Sequence, residues 1–175
     1  MAHSAISGAA VLLRHPSQED IEQVEQWDKD PDVSLFRETG DSSDEKGKSI
    51  SFGIYLKGDS TLIGSIAISS IDSRNGHAEL GMAIGDKQQW GKGYGSDAVR
   101  VVLGYCFREL GLNKVYLDVW EENERAVRCY LKCGFKKDGV LREHVKKDGE
   151  HHNKLMLSIL RGEWQEIVQR SASRK

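Results

Sequence analysis

The chain has 175 residues, of which 38% are hydrophobic and 30% charged, and its formal net charge is −2. This size and composition predict one globular domain with a buried core. The near-neutral charge argues against a nucleic-acid-binding protein and against a protein that binds anionic membranes through a basic surface.

The sequence also lacks the signals of membrane insertion and export. No apolar run approaches the roughly 18–20 residues that a membrane-spanning helix needs. The first eight residues lack the positive and apolar regions of a secretion signal. We therefore expect a cytoplasmic protein that forms a single domain over residues 1–175.

In the first half of the chain, the pattern predicts a strand, a helix and an antiparallel meander. Residues 1–9 are small and polar, and we expect a flexible lead-in there. A short strand at 11–13 precedes Ser17 and Asp20, whose spacing is that of a weak capping box for a helix that ends at Pro31. Apolar runs bounded by turns then predict three strands, at 50–56, 62–71 and 77–84.

A polar, acidic segment lies between that helix and the meander. We expect a second short helix at 32–36 and a mobile loop at 39–47. The acidic side chains of the segment either attract a cationic amine or form a solvated loop, and the sequence leaves both readings open. They are Glu38, Asp41, Asp44 and Glu45.

The second half of the chain alternates helices and strands. Apolar residues at helical spacing predict a helix at 96–110, which Gly111 ends. The elements that follow are a strand at 115–120, a helix from a cap at Asn123 to Cys133, strands at 135–141 and 154–160, and a helix at 163–169. Strand–helix–strand steps imply a parallel pair of strands, so the predicted fold class is α/β, a mixed sheet with helices on both faces.

The most informative motif is the run Trp90-Gly91-Lys92-Gly93-Tyr94-Gly95-Ser96, between a predicted strand and a predicted helix. Alternate glycines let the backbone turn sharply and expose its N–H groups, and the following helix points its positive end at the same place. This arrangement predicts a phosphate or pyrophosphate site. The glycine spacing does not match a Walker loop or a dinucleotide fingerprint. A turn that needs glycine only for packing remains the alternative.

A second motif runs from Asn123 to Phe135. Asn123, Ala126 and Tyr130 are spaced so that they share one helix face, where they could line a groove. The alternative is a capped core helix with a buried tyrosine.

Together the two motifs resemble the GNAT superfamily of acyl-CoA-dependent N-acetyltransferases, over about Gly53 to Leu160. The family's loop pattern, Gln/Arg-x-x-Gly-x-Gly/Ala, is matched from Trp90 to Gly95 with Trp in the first position, and a shifted register from Gln88 to Gly93 matches it literally. The second pattern, Asn-x-x-Ala-x-x-x-Tyr-x-x-x-Gly-Phe, is matched at Asn123, Ala126, Tyr130, Gly134 and Phe135. The stretches 139–143 and 155–164 resemble the branch that contains ribosomal-protein and spermidine acetyltransferases.

The resemblance implies a GNAT-type fold, with a mostly antiparallel central sheet and a splayed parallel pair of strands, 79–84 and 115–120. Acetyl-CoA would be the co-substrate, with its pantetheine arm in the V between these strands and its pyrophosphate on the loop N–H groups. If a Gln or Arg side chain normally assists the loop, Lys92 or Gln89 would substitute for it here. The implied cofactor-binding residues are Met82, Ala83, Ile84, Gln89, Trp90, Gly91, Lys92, Gly93, Tyr94, Gly95, Ser96, Asn123, Ala126 and Tyr130.

The implied reaction moves an acetyl group to a primary amine, on a protein N-terminus or a small molecule. Direct transfer in a ternary complex is expected, because the sequence gives no sign of an activated cysteine. Tyr130 would be the general acid that protonates the leaving thiolate, and a strand N–H near Met82 or Ala83 would stabilise the thioester oxygen. Glu79 would be the general base, acting through water; Asp118 is its rival, and a solvent relay is a third possibility.

The sequence leaves two alternative functions open. A polyamine is the alternative acceptor within the enzyme class, and a non-catalytic acyl-CoA-binding module is the alternative from another class. We expect no metal, because the histidines and cysteines show no ligand spacing. Trp164 and Ile167 near the C-terminus suggest a homodimer.

Overall fold

An eight-stranded mixed sheet forms the centre of this computed structural model, which describes residues 5–35 and 48–173. The strand order across the sheet is β1-β2-β3-β4-β5-β6-β8-β7. The strands are β1 (Ile6–Ser7), β2 (Val11–Arg14), β3 (Ile50–Leu56), β4 (Leu62–Asp72), β5 (His77–Ile84), β6 (Lys114–Trp120), β7 (Lys136–Lys147) and β8 (Glu150–Leu160). The α-helices are α1 (Gln18–Asp28), α2 (Pro31–Ser34), α3 (Tyr94–Arg108), α4 (Glu124–Lys132) and α5 (Arg161–Ala172), and a short 3₁₀-helix spans Lys87–Gln89.

Helices cover both faces of the sheet, as the sequence predicts. On one face, Phe52 of β3 meets Tyr105 of α3 edge-on, with 5.7 Å between ring centroids. On the other face, the Tyr55 hydroxyl donates a 2.7 Å hydrogen bond to Asp20 of α1. The two faces follow from the alternation of side chains along each strand. The α3 face holds most of the fully buried apolar residues, among them Ile66, Ile68, Val99, Val102, Leu103, Val115, Leu117, Leu157 and Ile159.

Helix α1 begins with the predicted capping box. The Ser17 hydroxyl accepts the N–H of Asp20, and the Asp20 carboxylate accepts the N–H of Ser17 at 2.8 Å. At the other end of the helix, the Trp27 ring lies against Gly85, where an added Cβ would come within 2.1 Å of the ring. Only glycine therefore lets α1 pack this closely on the end of β5.

Residues 6–10 make contacts that the predicted flexible lead-in at 1–9 does not include, and residues 1–4 lie outside the described part of the chain. Ile6 and Ser7 form the short strand β1, which the sequence does not predict, and they pair with β2. The Asp97 carboxylate, in the first turn of α3, accepts the backbone N–H groups of Ala9, Ala10 and Val11 at 3.1, 2.7 and 3.0 Å. The start of β2 is thus tied directly to α3.

The hairpin of β7 and β8 is longer than the predicted strands at 135–141 and 154–160. The polar stretch between them continues both strands and leaves only the two-residue turn Asp148-Gly149, in which both residues have positive φ. Asp-Gly is a favoured pair for such a turn. The charged residues of β7 conceal the strand in the sequence, because β7 lies at the edge of the sheet and exposes most of them.

Other predicted elements shift by a few residues. Helix α3 begins at Tyr94 rather than Ser96, directly after Gly93, and α5 extends three residues past the predicted end at 169. Helix α2 covers part of the predicted helix at 32–36, and the acidic segment at 38–45 lies outside the described residues.

The C-terminal helix contributes one aromatic anchor. The Trp164 ring lies 5.3 Å from that of Phe107, between centroids, so it packs onto the chain's own core, while Ile167 is 38% exposed. The homodimer stays a prediction. No helix in the described part of the chain is both long and apolar enough to cross a membrane.

Candidate active site

The strands β5 and β6 separate to form the site. Their parallel ladder has three register pairs, His77–Lys114, Ala78–Val115 and Glu79–Tyr116. Beyond Glu79 the space between the strands is a cleft of about 800 Å³. The predicted residues that line it are Glu79, Met82, Ala83, Ile84, Gln89, Trp90, Gly91, Gly93, Tyr94, Gly95, Ser96, Asn123, Ala126 and Tyr130, together with the rival base Asp118.

Along β5, the backbone N–H groups point alternately toward β4 and toward the cleft. The N–H of Gly85 donates to the carbonyl of Ile63 on β4, in the same register that pairs Ala83 with Ser65. Because hydrogen-bonding groups alternate sides along an antiparallel strand, Ala83 also turns its N–H toward β4. Met82, one residue earlier, turns its N–H toward β6 and the cleft. Of the two N–H groups proposed for the thioester oxygen, that of Met82 is therefore the one directed into the cleft.

The glycine loop and the start of α3 form one end of the cleft. Gly91 and Gly93 have φ values of +75° and +88°, in the left-handed region that favours glycine. Gly93 is also the residue that caps α3, so the first turn of the helix presents the N–H groups of Tyr94, Gly95 and Ser96 without partners inside the helix. This is the geometry of an anion site at a helix N-terminus.

Trp90 and Lys92 behave differently from the other loop residues. The Trp90 indole N–H donates a 2.7 Å hydrogen bond to the carbonyl of Ile84 at the end of β5. The Lys92 ammonium donates to Gln89 Oε1 at 3.1 Å, and Lys92 is not among the residues that line the cleft. The structure thus separates Lys92 from the other predicted cofactor-binding residues.

Helix α4 brings the second motif to the cleft. The Asn123 side chain accepts the N–H of Ala126 at 3.3 Å, so it is the predicted N-cap. Tyr130 is 5% exposed and lies edge-on to Phe135, with 5.5 Å between ring centroids. Burial raises the pKa of Tyr130, with smaller contributions from Cys129, Cys133 and Asp118. The phenol therefore keeps its proton, as a general acid must.

The two candidate bases share one face of the sheet. Glu79 lies opposite Tyr116 in the register, and Asp118 is two residues further along β6, so both carboxylates point to the face that α1 covers. Glu79 accepts a 3.3 Å hydrogen bond from the Ser70 hydroxyl. Burial raises the pKa of Asp118, and the charge of Glu79 raises it further.

Asp118 also has a cationic partner that the sequence analysis does not identify. Lys154 Nζ on β8 lies 2.9 Å from Asp118 Oδ1, and its side chain is only 7% exposed. Burial lowers the pKa of Lys154 and raises that of Asp118, which opposes the attraction between the two charges. Asp118 is thus held by a neighbour, while Glu79 is positioned by a neutral hydroxyl.

Cys129 is a thiol that lies at the cleft beside polar partners. Its Sγ lies 3.4 Å from the Ser96 hydroxyl, and it lines the cleft. A hydrogen bond with the Cys133 thiol, assisted by Ser96, lowers the pKa of Cys129. Direct transfer, which we expect because the sequence gives no sign of an activated cysteine, stays a prediction, and Cys129 is the thiol on which it can be tested.

Several lining residues carry no motif and are missed by sequence reasoning. Arg125, on α4, lies between Asn123 and Ala126 of the second motif, in a position that reads as solvated. Trp120 ends β6 and stacks on His152, with 4.8 Å between ring centroids. Among residues 5–35 and 48–173, no group of three or more His, Cys, Asp or Glu side chains is arranged to hold a metal ion.

Comparisons with known proteins agree with this geometry. Residues 10–136 match a family model described as an acetyltransferase (GNAT) domain. The uncharacterized N-acetyltransferase p20 of Bacillus licheniformis is 29% identical over 169 residues, covering 88% of this chain and 94% of that protein. The spermidine N(1)-acetyltransferase of Escherichia coli K12 is 28% identical over 168 residues, covering 90% of each.

A solved structure has the same fold. It is spermidine N-acetyltransferase from Vibrio cholerae in complex with CoA and spermine. It superposes with a TM-score of 0.80 at 24% identity, over 90% of this chain and 99% of that one.

Proposed function

Because this chain belongs to the GNAT acetyltransferase family, we propose that it transfers the acetyl group of acetyl-CoA directly to a primary amine in a ternary complex. The observation that carries the proposal is the early end of the β5–β6 ladder. The cleft beyond it has an anion site at one end, Tyr130 in its wall and Glu79 at its apex.

The cofactor would lie along the open edge of β5. Its pyrophosphate accepts hydrogen bonds from the loop and the first turn of α3. Its pantetheine arm runs beside Met82, whose N–H and carbonyl face the cleft. Asn123 and Ala126 border the same arm from α4. This places the thioester between the two strands, within reach of groups from both.

The reaction then needs three proton and charge events. The amine attacks the thioester carbon in its neutral form, and the Met82 N–H stabilises the negative charge that develops on the carbonyl oxygen. The tetrahedral intermediate collapses with loss of the CoA thiolate. Tyr130 donates its proton to that sulfur, and the excess proton of the new amide nitrogen passes to a base.

Glu79 is the base that we propose, acting through a water molecule. Its carboxylate accepts from Ser70, which orients it without neutralising its charge. Asp118 is the weaker candidate, because its Oδ1 is engaged by the buried Lys154 ammonium at 2.9 Å and is less free to meet a water molecule or an incoming amine.

For the acceptor, a protein N-terminus and a small amine both fit a cleft with Asp32, Glu79 and Asp118 in its wall. A polyamine is the second candidate. It is favoured by these carboxylates and by the relatives named spermidine N-acetyltransferases.

The test is a screen that measures free thiol released from acetyl-CoA in the presence of polyamines, N-terminal peptides and aminoglycosides, with mass spectrometry of each amine. We expect at least one amine to gain an acetyl group, and Tyr130→Phe to turn over far more slowly. If CoA binds and no amine is acetylated, the chain is a non-catalytic acyl-CoA-binding module and the proposal fails.

A further inference from the structure

In the register that starts at Trp90, the loop of this chain has an aromatic residue where the family pattern has Gln or Arg. Trp90 does not direct a polar group at the phosphate end of the cleft. Its indole N–H is committed to the carbonyl of Ile84, at 2.7 Å, which holds the ring against the end of β5. Any side-chain donor that assists the backbone N–H groups therefore comes from elsewhere in the chain.

The two substitutes that the sequence suggests are engaged with each other. Lys92 donates to Gln89 Oε1 at 3.1 Å, and Gln89 Nε2 donates to Asp86 Oδ2 at 3.2 Å. Lys92 also lies outside the lining of the cleft. In this arrangement one N–H of Gln89, which lines the cleft, is engaged by Asp86, and the Lys92 ammonium is held outside the lining.

Arg125 is the side chain that could supply a donor instead of Lys92 and Gln89. Its guanidinium carbon lies 3.5 Å from the centroid of the Trp90 ring, and both residues line the cleft. Arg125 is the second residue of α4, directly after Asn123 and Glu124, and so lies beside the proposed path of the cofactor.

Within the described residues, the structure gives Arg125 no carboxylate at ion-pair distance. Arg128, one turn further along α4, donates to Glu124 at 3.0 Å. The two arginines of this helix therefore differ: one is paired with an acid, and the other is stacked on an aromatic ring. Stacking covers the face of a guanidinium and leaves its N–H edge available, which suits bidentate contact with a phosphate.

We propose that Arg125 binds the phosphate groups of acetyl-CoA, and that Trp90 is the positioning residue that holds its guanidinium at the cleft. The pair would replace the Gln/Arg side chain of the family loop. This inference rests on the proposed function, because it takes acetyl-CoA as the ligand of the cleft.

The first experiment compares two ligands, CoA and pantetheine, which lacks every phosphate. For Arg125→Ala we expect the CoA dissociation constant to rise roughly tenfold to a hundredfold at low salt, the range for a lost hydrogen bond to a charged group. The inhibition constant of pantetheine should change by less than about twofold. Arg125→Lys keeps the charge and loses the planar stack, so its CoA dissociation constant should lie between those of the wild type and Arg125→Ala.

Arg170→Ala is the matched control, since it removes an exposed arginine that pairs with Glu166 on α5 and lines no part of this cleft. Its CoA affinity should equal that of the wild type. An unchanged affinity in Arg125→Ala, or an equal loss for CoA and pantetheine, overturns the phosphate assignment. The thermal unfolding midpoint of each variant shows whether a loss of CoA affinity comes from misfolding. If Arg125→Ala is misfolded, the comparison of CoA with pantetheine is made on Arg125→Lys instead.

The role of Trp90 is tested by a double-variant cycle. Trp90→Leu removes the stack and the indole donor, and we expect it to weaken CoA binding but to add little to the loss in Arg125→Ala. Independent, additive losses overturn the positioning role. Trp90→Phe keeps a ring for the stack and should retain most of the CoA affinity.

The outcomes separate this inference from the proposed function. If the wild type acetylates an amine and binds CoA while Arg125→Ala binds it equally well, only the role of Arg125 fails. If the wild type binds no CoA, the proposed function fails and the role of Arg125 fails with it.

Discussion

Glu79 and Tyr116 form the last register pair between β5 and β6, and the cleft opens directly beyond them. The pair fixes a carboxylate at the point where the two strands diverge, on the same sheet face as Asp118. Position in the register, rather than any local motif, therefore selects the carboxylate that a bound amine would meet at the apex.

Replacing that carboxylate should slow proton removal from the amine. For Glu79→Gln we expect turnover to fall at least about tenfold, with the affinity for acetyl-CoA unchanged, because the amide keeps the shape but cannot accept the proton. The measurement is kcat with a saturating amine, and acetyl-CoA binding by calorimetry.

Asp118→Asn is the matched variant for the rival base. We expect a smaller loss of turnover, together with a lower unfolding temperature, because the buried Lys154 loses its ion pair with Asp118. A greater loss of turnover in Asp118→Asn than in Glu79→Gln would assign the base to Asp118. In the pH profile of kcat/KM, the midpoint of the fall at low pH would then lie above the ordinary pKa of an aspartate, since the pKa of Asp118 is raised.

Tyr130→Phe should lower kcat by about a hundredfold, the lower end of the range for general acid–base groups. Acetyl-CoA affinity should change little, since the ring remains in place beside Phe135. Tyr105→Phe, which alters a tyrosine of α3 that does not line the cleft, is the control and should leave kcat unchanged. An unchanged rate in Tyr130→Phe would remove this residue from the acid role.

The same tyrosine sets an expectation for pH dependence. Its pKa is raised by burial, and an acid works in its protonated form, so Tyr130 stays active over a wider alkaline range than a free phenol. We expect kcat to rise with pH as the amine and base lose protons, with no decline below about pH 10, the ordinary phenol value. An earlier alkaline decline that disappears in Tyr130→Phe would contradict the raised pKa.

Cys129 distinguishes direct transfer from a route through an acetylated thiol. Its lowered pKa and its place in the cleft would suit a nucleophile. For direct transfer we expect Cys129→Ala to retain turnover within about threefold, less than the tenfold that a 1.4 kcal/mol interaction represents. Incubation of the wild type with acetyl-CoA alone should leave its mass unchanged, and a gain of one acetyl group on Cys129 would overturn direct transfer.

Gly93→Ala should weaken acetyl-CoA binding through the backbone. A Cβ at this position meets no neighbouring atom within 4 Å, but the φ of +88° disfavours any L side chain. The penalty of about 1–2 kcal/mol corresponds to a loss of affinity of up to roughly thirtyfold. Gly162→Ala is the control, because its Cβ also meets open space and its φ lies outside the positive range, and its affinity should match the wild type.

Local sequence patterns predict the elements that local chemistry determines. The capping residues Ser17 and Asn123 form the predicted hydrogen bonds, and β5 has its predicted bounds. The GNAT family predicted from the two motifs is confirmed. These features depend on a few neighbouring residues, so they can be predicted from the local sequence.

Features that depend on distant partners are not visible in the sequence. The charged residues Lys146 and Lys147 lie in a strand only because β8 pairs with them. Arg125 is read as a solvated helix residue until Trp90 is seen beneath it, and Lys154 as a strand residue until Asp118 lies next to it. In each case the partner is more than 30 residues away or on another element, beyond any motif spacing.

The contact of Asp97 with three N–H groups ties residues 9–11 to the first turn of α3. The carboxylate lies one residue beyond Ser96, in the turn whose N–H groups would hold the pyrophosphate. Removing the chain up to Ala10 would free that turn to tilt, even though no atom of the cleft is deleted. We therefore expect residues 9–11 to hold the first turn of α3 in its orientation toward the cleft, so that their loss would weaken acetyl-CoA binding.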